Sequence, residues 1–333
     1  MQKMTSFRPV TLVAGGAGFI GSHLCETLLA RGHRVICLDS FVSGRRENVQ
    51  PFENHPSFTL IEACVTRPVA VPGPLDQVYN LACAASPPQY QADPVHTMRT
   101  NVVGCGNLLE LARIKGARFV QASTSEVYGD PLAHPQTEDY WGNVNCTGPR
   151  ACYDEGKRAA ETLCFDYRRA GLGDVRVARI FNTYGPQMRA DDGRIVSNLI
   201  CQALQERPMT LYGDGTQTRS FCYVSDLVAG LIALMDLPVA PDGAVNLGNP
   251  GEFSILELAG LIREMVPGSA KPVFCPLPQD DPRRRQPDIE RARQLLHWQP
   301  RVPLRDGLRA TIDWFAAHLE TPEPVGAARD MRP

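Results

Sequence analysis

The chain lacks an excess of charge of either sign. Across 333 residues, 34 lysines and arginines stand against 36 aspartates and glutamates, a formal charge of −2. That removes the bulk basic field that nucleic acid or an anionic membrane surface would require. No apolar run approaches the ~18 residues of a bilayer-crossing helix. The opening MQKMTSFRP runs into a strand pattern without the apolar core of a secretory signal. Internal repeats and low-complexity segments are also missing. Eleven cysteines are present, but none falls in a C-x-x-C pair, and most sit in apolar stretches such as VICLD and ETLCF. There a cysteine acts as a small core hydrophobe, so free thiols and no metal site are expected. These absences predict a cytoplasmic protein without membrane or nucleic-acid partners.

What is there is a regular alternation. Apolar, β-branched runs predict strands at 10–14, 34–39, 58–63, 77–82, 118–123 and 175–181, with helices over 19–31, 95–115 and 150–171. Strand–helix alternation of this kind predicts an α/β architecture with a doubly wound parallel sheet. After about residue 186 the pattern becomes irregular, with helices predicted at 194–206, 225–236, 254–265 and 304–319 among proline-rich loops. The segment AVNLG (244–248) is a candidate strand returning to the first sheet, which would interweave the two lobes. The last residues, ETPEPVGAARDMRP, carry no periodicity and are expected to be a disordered tail.

Within VTLVAGGAGFIGSHL, Gly15, Gly16, Gly18 and Gly21 lie between a predicted strand and a predicted helix. Glycines at this spacing permit a tight turn and let the backbone approach a pyrophosphate, which the helix N-terminus then attracts. This is the Rossmann-type dinucleotide fingerprint. Asp39 closes the second strand, where a carboxylate can accept from ribose hydroxyls and repel a 2′-phosphate, favouring NAD over NADP. Arg45 and Arg46 follow closely and would suit the opposite choice.

Tyr153 and Lys157 form Y-x-x-x-K inside a helical stretch, so the two side chains share one face. Lowering a phenol from about 10 to about 7 takes about 4 kcal/mol of differential stabilisation, which an ammonium and a bound nicotinamide cation can supply. The turn Ser123-Thr124-Ser125-Glu126-Val127-Tyr128-Gly129 follows the fifth strand, at the end where such sheets bind ligands.

These motifs, with Arg179–Pro186 (RIFNTYGP), resemble the extended short-chain dehydrogenase/reductases of the NAD-dependent epimerase/dehydratase superfamily that act on nucleotide sugars. The nearer resemblance is to the UDP-glucuronate decarboxylase (UDP-xylose synthase) family. It runs through ASTSEVYGDP, GPRACYDEGKR, DGRIVSNLI, QTRSF, NLGNP and DDPRRRQPDI. The resemblance implies decarboxylation of UDP-glucuronate to UDP-xylose through a UDP-4-keto-hexuronate, with NAD+ reduced and re-oxidised in each cycle. It implies an NAD-binding domain over 1–185, a UDP-sugar lobe over 186–320 and a tail over 321–333.

Carried over residue by residue, the resemblance assigns catalysis to Tyr153, Lys157, Thr124, Ser125, Glu126 and Arg219. Cofactor contacts fall on Gly15, Gly18, Phe19, Ile20 and Gly21 in the first turn, then on Asp39, Ser40 and Ser43. Further contacts fall on Cys64, Val65, Leu81, Cys83, Thr100, Ala122 and Thr183, besides Tyr153 and Lys157. Substrate contacts fall on Arg99, Asn107, Asn182, Arg189, Arg194, Tyr212 and Arg285, with Ser125, Glu126 and Arg219. Arg285 is expected to neutralise the UDP diphosphate and Arg99 to approach the sugar carboxylate.

Ser125-Glu126 stands where 4,6-dehydratases carry Asp-Glu, so the acid that expels a hydroxyl is missing. Departures from the family pattern are Ala14 for Thr, Cys64 for an Asp beside the adenine, and Cys83-Ala84 for Ser-Pro. A homodimer through helices 95–115 and 150–171 is also implied, with Leu108, Leu111 and Leu163 suiting either an interface or the core. Three alternatives stay open: release of the UDP-4-keto-pentose, formation of a branched apiose product, and a non-catalytic nucleotide-sugar-binding module.

Overall fold

Six short apolar runs form parallel strands: β1 Val10–Ala14, β2 Arg34–Asp39, β3 Phe58–Glu62, β4 Gln77–Asn80, β5 Arg118–Thr124 and β6 Val175–Ile180. The structure, a computed structural model, describes residues 8–277 and 284–319. A seventh strand, Val245–Leu247, pairs parallel with β6, so the late chain does return to the first sheet. Spatial order is Val245–Leu247, β6, β5, β4, β1, β2, β3. The chain therefore winds one way from β1 and the other way from β4, and the crevice between their carboxyl ends is where such sheets hold ligands. β1 is buried at all five residues and β4 at all four, as expected when helices cover both faces.

The covering helices in the first half are α1 Phe19–Ala30, α2 Pro87–Ala92, α3 Pro94–Arg99, α4 Cys105–Lys115 and α5 Ala151–Arg169. The helix expected over 95–115 is divided, because a π-turn at Thr100–Gly104 joins α3 to α4. Two tight packings set that wider turn. A Cβ on Gly104 would lie 2.6 Å from Val65, and one on Gly156 of α5 would lie 2.9 Å from the Asn101 amide. π-turns of this kind recur beside functional sites, and Thr100 on this one reaches a cavity described below. Leu108 and Leu111 are buried in the core beneath this helix, and half-buried Leu163 packs against that core.

The second half adds small ladders and helices. β7 Thr183–Tyr184 pairs with β10 Cys222–Tyr223, and β8 Thr210–Tyr212 pairs with β13 Val273–Cys275. β9 Thr218–Ser220 lies between β12 Glu252–Ser254 and β14 Arg284–Arg285. The strand at Val245–Leu247 is β11 in this order. Helices α6 Ile195–Leu204, α8 Ile255–Met265 and α10 Leu304–His318 enclose a separate core around Leu199, Leu258 and Leu308. α7 Val224–Asp236 and α9 Glu290–Leu296 pack instead into the core of the first sheet. Ser254 and Glu257 form a reciprocal capping box that starts α8.

The tail expected at 321–333 lies outside the described residues. Among the described residues, all eleven cysteines are unpaired and no group of His, Cys, Asp and Glu is arranged to hold a metal ion. No helix among them is long and apolar enough to cross a membrane.

Candidate active site

The glycine turn is built around the end of β1. Gly15 holds φ +78°, and a Cβ there would meet the Leu81 carbonyl group at 2.8 Å. Its N–H donates to the Leu38 carbonyl at 2.7 Å, which ties the turn to β2. A Cβ on Gly21 would collide with the Gly15 carbonyl oxygen, so α1 can sit this close to the turn only with glycine there. α1 starts after Gly18 without a side-chain cap, so its first N–H groups remain available to an anion.

Two cavities meet at this turn. The smaller, about 90 Å³, is lined by Asp39, Ser40, Ser43, Cys64, Val65 and Thr100, among others. Asp39 is 7% exposed and accepts from Ala17 N at 2.9 Å and Phe41 N at 2.8 Å. Burial pushes its carboxyl upward, while those backbone donors oppose the shift. Neither a lysine nor an arginine is among the described residues that line this cavity. Arg46 turns to Glu62 and the Phe41 ring, and Arg45 to Asn48 and Trp314. The residues present therefore fit NAD: a cradle that a Cβ would fill, a ribose-facing carboxylate, and no cation for a 2′-phosphate. Cys64, in place of an adenine-side carboxylate, meets the Thr66 hydroxyl at 3.0 Å.

The larger cavity, about 450 Å³, opens beside it and shares Gly15, Gly18, Ser43, Leu81 and Cys83 with it. Phe19, Ile20, Gly21, Ala122, Thr124, Ser125, Glu126, Tyr153, Lys157 and Thr183 line it. Asn182, Arg194, Tyr212, Arg219 and Arg285 line it as well. α5 carries Tyr153 and Lys157 one turn apart, with the ammonium 5.8 Å from the Tyr153 ring centroid. Lys157 Nζ is anchored by a 2.9 Å bond to the Ala122 carbonyl on β5. The Thr124 hydroxyl hydrogen-bonds the Tyr153 phenol, and Tyr90 stacks on that ring at 4.9 Å and 6°. Burial drives the Tyr153 phenol above its ordinary range, Cys83 and Glu126 push the same way, and the Thr124 bond opposes them. Burial thus favours the protonated phenol, and any further positive charge beside it works the other way.

Glu126 sits in the single turn that follows β5, its N–H donating to the Thr124 hydroxyl at 3.2 Å. It accepts from Arg150 Nη2 at 2.8 Å and from Arg285 Nη2 at 3.3 Å. Burial pushes its carboxyl up, but Arg285, Arg150 and Arg219 together outweigh burial and hold it below the usual range. Arg219 and Arg285 are direct partners in the β9–β14 ladder, at 8% and 1% exposure. Three guanidinium groups against one carboxylate leave an excess of positive charge, suited to an anionic ligand.

Several expected residues stand elsewhere. Arg99 is exposed at the end of α3 and lines neither cavity. Asn107 donates to the Val65 carbonyl at 2.8 Å and so braces the smaller cavity from behind without lining it. Arg189 lies off the cleft, bonded to Asp191 through two nitrogens at 2.7 Å. Arg285, expected at a diphosphate, lines the cleft but also donates to the Ser125 carbonyl and, at 3.0 Å, to the Gly129 carbonyl. Arg194 pairs with Asp192 and lies over the Phe19 ring. Sequence reasoning passed over Arg150 and Tyr90, which complete the walls around Glu126 and Tyr153. Arg150 was within reach, since it immediately precedes the Y-x-x-x-K helix. The Tyr90 stack is a contact across 63 positions of chain that no local pattern signals.

Comparison with known proteins follows the same lines. The model of the NAD dependent epimerase/dehydratase family matches residues 11–248. UDP-glucuronic acid decarboxylase 4 of Arabidopsis thaliana is 57% identical over 304 residues, covering 91% of this chain and 68% of the plant protein. UDP-glucuronic acid decarboxylase 1 of Danio rerio is 53% identical, covering 93% of this chain and 73% of its own. Among solved structures, the UDP-glucuronic acid 4-epimerase of Bacillus cereus, in complex with UDP-glucuronic acid and NAD, superposes with a TM-score of 0.82. That match has 29% identity and covers 92% of this chain and 99% of the epimerase.

Proposed function

The chain belongs to the NAD dependent epimerase/dehydratase family, and from that premise we propose that it decarboxylates UDP-glucuronate to UDP-xylose and CO2. The observation that carries this reading is an ionised Glu126 set among Arg150, Arg219 and Arg285, in the same cleft as the Tyr153–Thr124 pair. A hydroxyl-eliminating site needs a second acid beside Glu126, and Ser125 occupies that place.

NAD+, held by the Gly15–Gly21 turn and Asp39, would supply a hydride acceptor for C4 of the sugar and a hydride donor after decarboxylation. Tyr153 takes the C4 hydroxyl proton, with Thr124 fixing the phenol and the anchored Lys157 favouring the phenolate. The resulting 4-ketone is β to the carboxylate, so the electrons of the breaking C5–C6 bond collect on the ketone oxygen. That developing negative charge falls between Tyr153 and the guanidinium cluster, where donors fixed in advance stabilise it. A proton from water at C5 restores the ketone, and once hydride is back at C4 Tyr153 returns its proton to the C4 oxygen. Arg219 lines the cleft, and its guanidinium would take the sugar carboxylate or diphosphate in a bidentate pair. Residues 1–185 act as the nucleotide lobe and 186–320 as the UDP-sugar lobe in this reading. A homodimer is part of it as well, with exposed Val103 and Ile114 on the α3–α4 face available to a second copy. Sedimentation as a monomer alone would remove the dimer.

The test is incubation of purified protein with UDP-glucuronate, with products resolved by mass and proton NMR. A pentose product with the xylose spectrum and no stoichiometric NADH supports the reading. Unchanged mass refutes it, an apiose spectrum replaces the product, and a stoichiometric rise in NADH absorbance replaces it with the 4-keto-pentose. Binding of UDP-glucuronate without CO2 under any supplementation leaves only a binding module.

A further inference from the structure

One buried acid in this site has no task in the scheme above. Asp154 follows Tyr153 on α5, is 6% exposed, and lines neither cavity. Its Oδ1 has no hydrogen-bond partner, and neither has the hydroxyl of the 1% exposed Tyr90. Asp154 lies one helical turn beyond Arg150, so both side chains point along the same face toward Glu126. The charged and titratable groups that interact with it come from four elements: Glu126 after β5, Arg150, Cys152, Tyr153 and Glu155 on the α5 stretch, Arg285 on β14, and Tyr90 on α2.

Arg150 and Arg285 bond Glu126, and the buried carboxyl of Asp154 feels the same two guanidiniums while its Oδ1 is unpartnered. Burial and the neighbouring Glu126 push Asp154 up to about 7, against the pull of Arg150 and Arg285. The α5 N-terminus favours the anion but acts only within its first turn. Glu126 moves the opposite way, below its usual range. Neighbouring carboxyls whose affinities separate in this manner hold one proton between them, on the less compensated partner.

We propose that Asp154 is a positioning residue: neutral, it leaves Arg150 and Arg285 to Glu126, and when it loses its proton it draws Arg150 away and slackens the Glu126 wall of the cleft. The ionised form also adds negative charge near Tyr153 and makes its phenolate harder to reach. The role of Glu126 in turnover rests on the decarboxylase reading, whereas the protonation of Asp154 does not.

The experiment uses holoenzyme, wild type and Asp154→Asn, and begins with infrared spectroscopy. A carboxylic-acid carbonyl band should vanish from the wild type between about pH 6 and 8 and be missing from the variant. Wild-type kcat for CO2 release should fall at least about threefold over that range, while the variant's kcat changes by less than about twofold and its KM stays near wild type. Because a raised carboxyl costs stability as pH climbs through its folded value, the variant's unfolding midpoint should gain on the wild type from pH 5 to 8. A wild-type spectrum with no titrating acid band overturns the proposal. So does a variant that keeps the alkaline fall in kcat, or one whose stability offset is the same at every pH. If the wild type releases no CO2 at all, the decarboxylase reading fails, and the infrared and stability results still decide Asp154.

Discussion

Replacing Glu126 by glutamine tests the charge balance on which the site depends. The side chains of Glu126, Arg150 and Arg285 are 18%, 12% and 1% exposed, so solvent offers little relief to cations that lose their anion. Truncating one partner of a buried pair costs about 3–5 kcal/mol. Glutamine retains a carbonyl acceptor that can keep one of the two bonds, which brings the expected loss nearer to about 2–3 kcal/mol. For a chain of this size that is a fall of about 3–6 °C in the unfolding midpoint at pH 7. The sign with pH follows from the direction of the shift. Glu126 is held below the ordinary glutamate range, so its contribution is fully present above that range and lost as pH falls through the depressed value. The gap between wild type and Glu126→Gln should therefore narrow below about pH 4.5. In turnover, the variant leaves three guanidiniums without their counter-charge, so UDP should bind as well or better while kcat for CO2 release drops about 100-fold. Calorimetry over pH, UDP titration and a CO2 assay read these effects separately. A variant with wild-type stability at pH 7 and wild-type kcat would show that the Glu126–arginine cluster neither holds the fold nor serves the reaction.

Tyr153→Phe should abolish CO2 release, by at least about 1,000-fold, while UDP affinity stays within about twofold; a turnover near wild type would assign the base elsewhere. Gly15→Ala forces a side chain onto φ +78° and against the Leu81 carbonyl at 2.8 Å, so the purified variant should come away without bound NAD. NAD content equal to wild type would remove the proposed cradle. Arg99→Ala should leave kcat and KM within about twofold, because exposed charges away from a site contribute little; a loss of tenfold or more would mean that Arg99 reaches a cleft through contacts a single chain does not make.

The parts of this molecule that can be read locally are those set by local constraints. β1, the glycine turn and α1 follow from an apolar run, a backbone that must approach Leu81, and an uncapped helix start, all within one stretch of chain. Tyr153 and Lys157 follow from helical spacing alone. The π-turn at Thr100–Gly104 does not, because it answers to Val65 and Gly156, which lie far away in sequence. Likewise, family motifs identify Arg219 and Arg285 separately, but only the β9–β14 register makes them neighbours. Arg285 then supports the turn that carries Ser125 and Glu126 as well as lining the cleft. That double engagement bears on mechanism: a guanidinium committed to two backbone carbonyls and a carboxylate is poorly placed to travel toward a diphosphate. In the proposed reaction, anion recognition therefore falls to Arg219 and Arg194, which line the same cleft, while Arg285 holds the turn that carries Glu126.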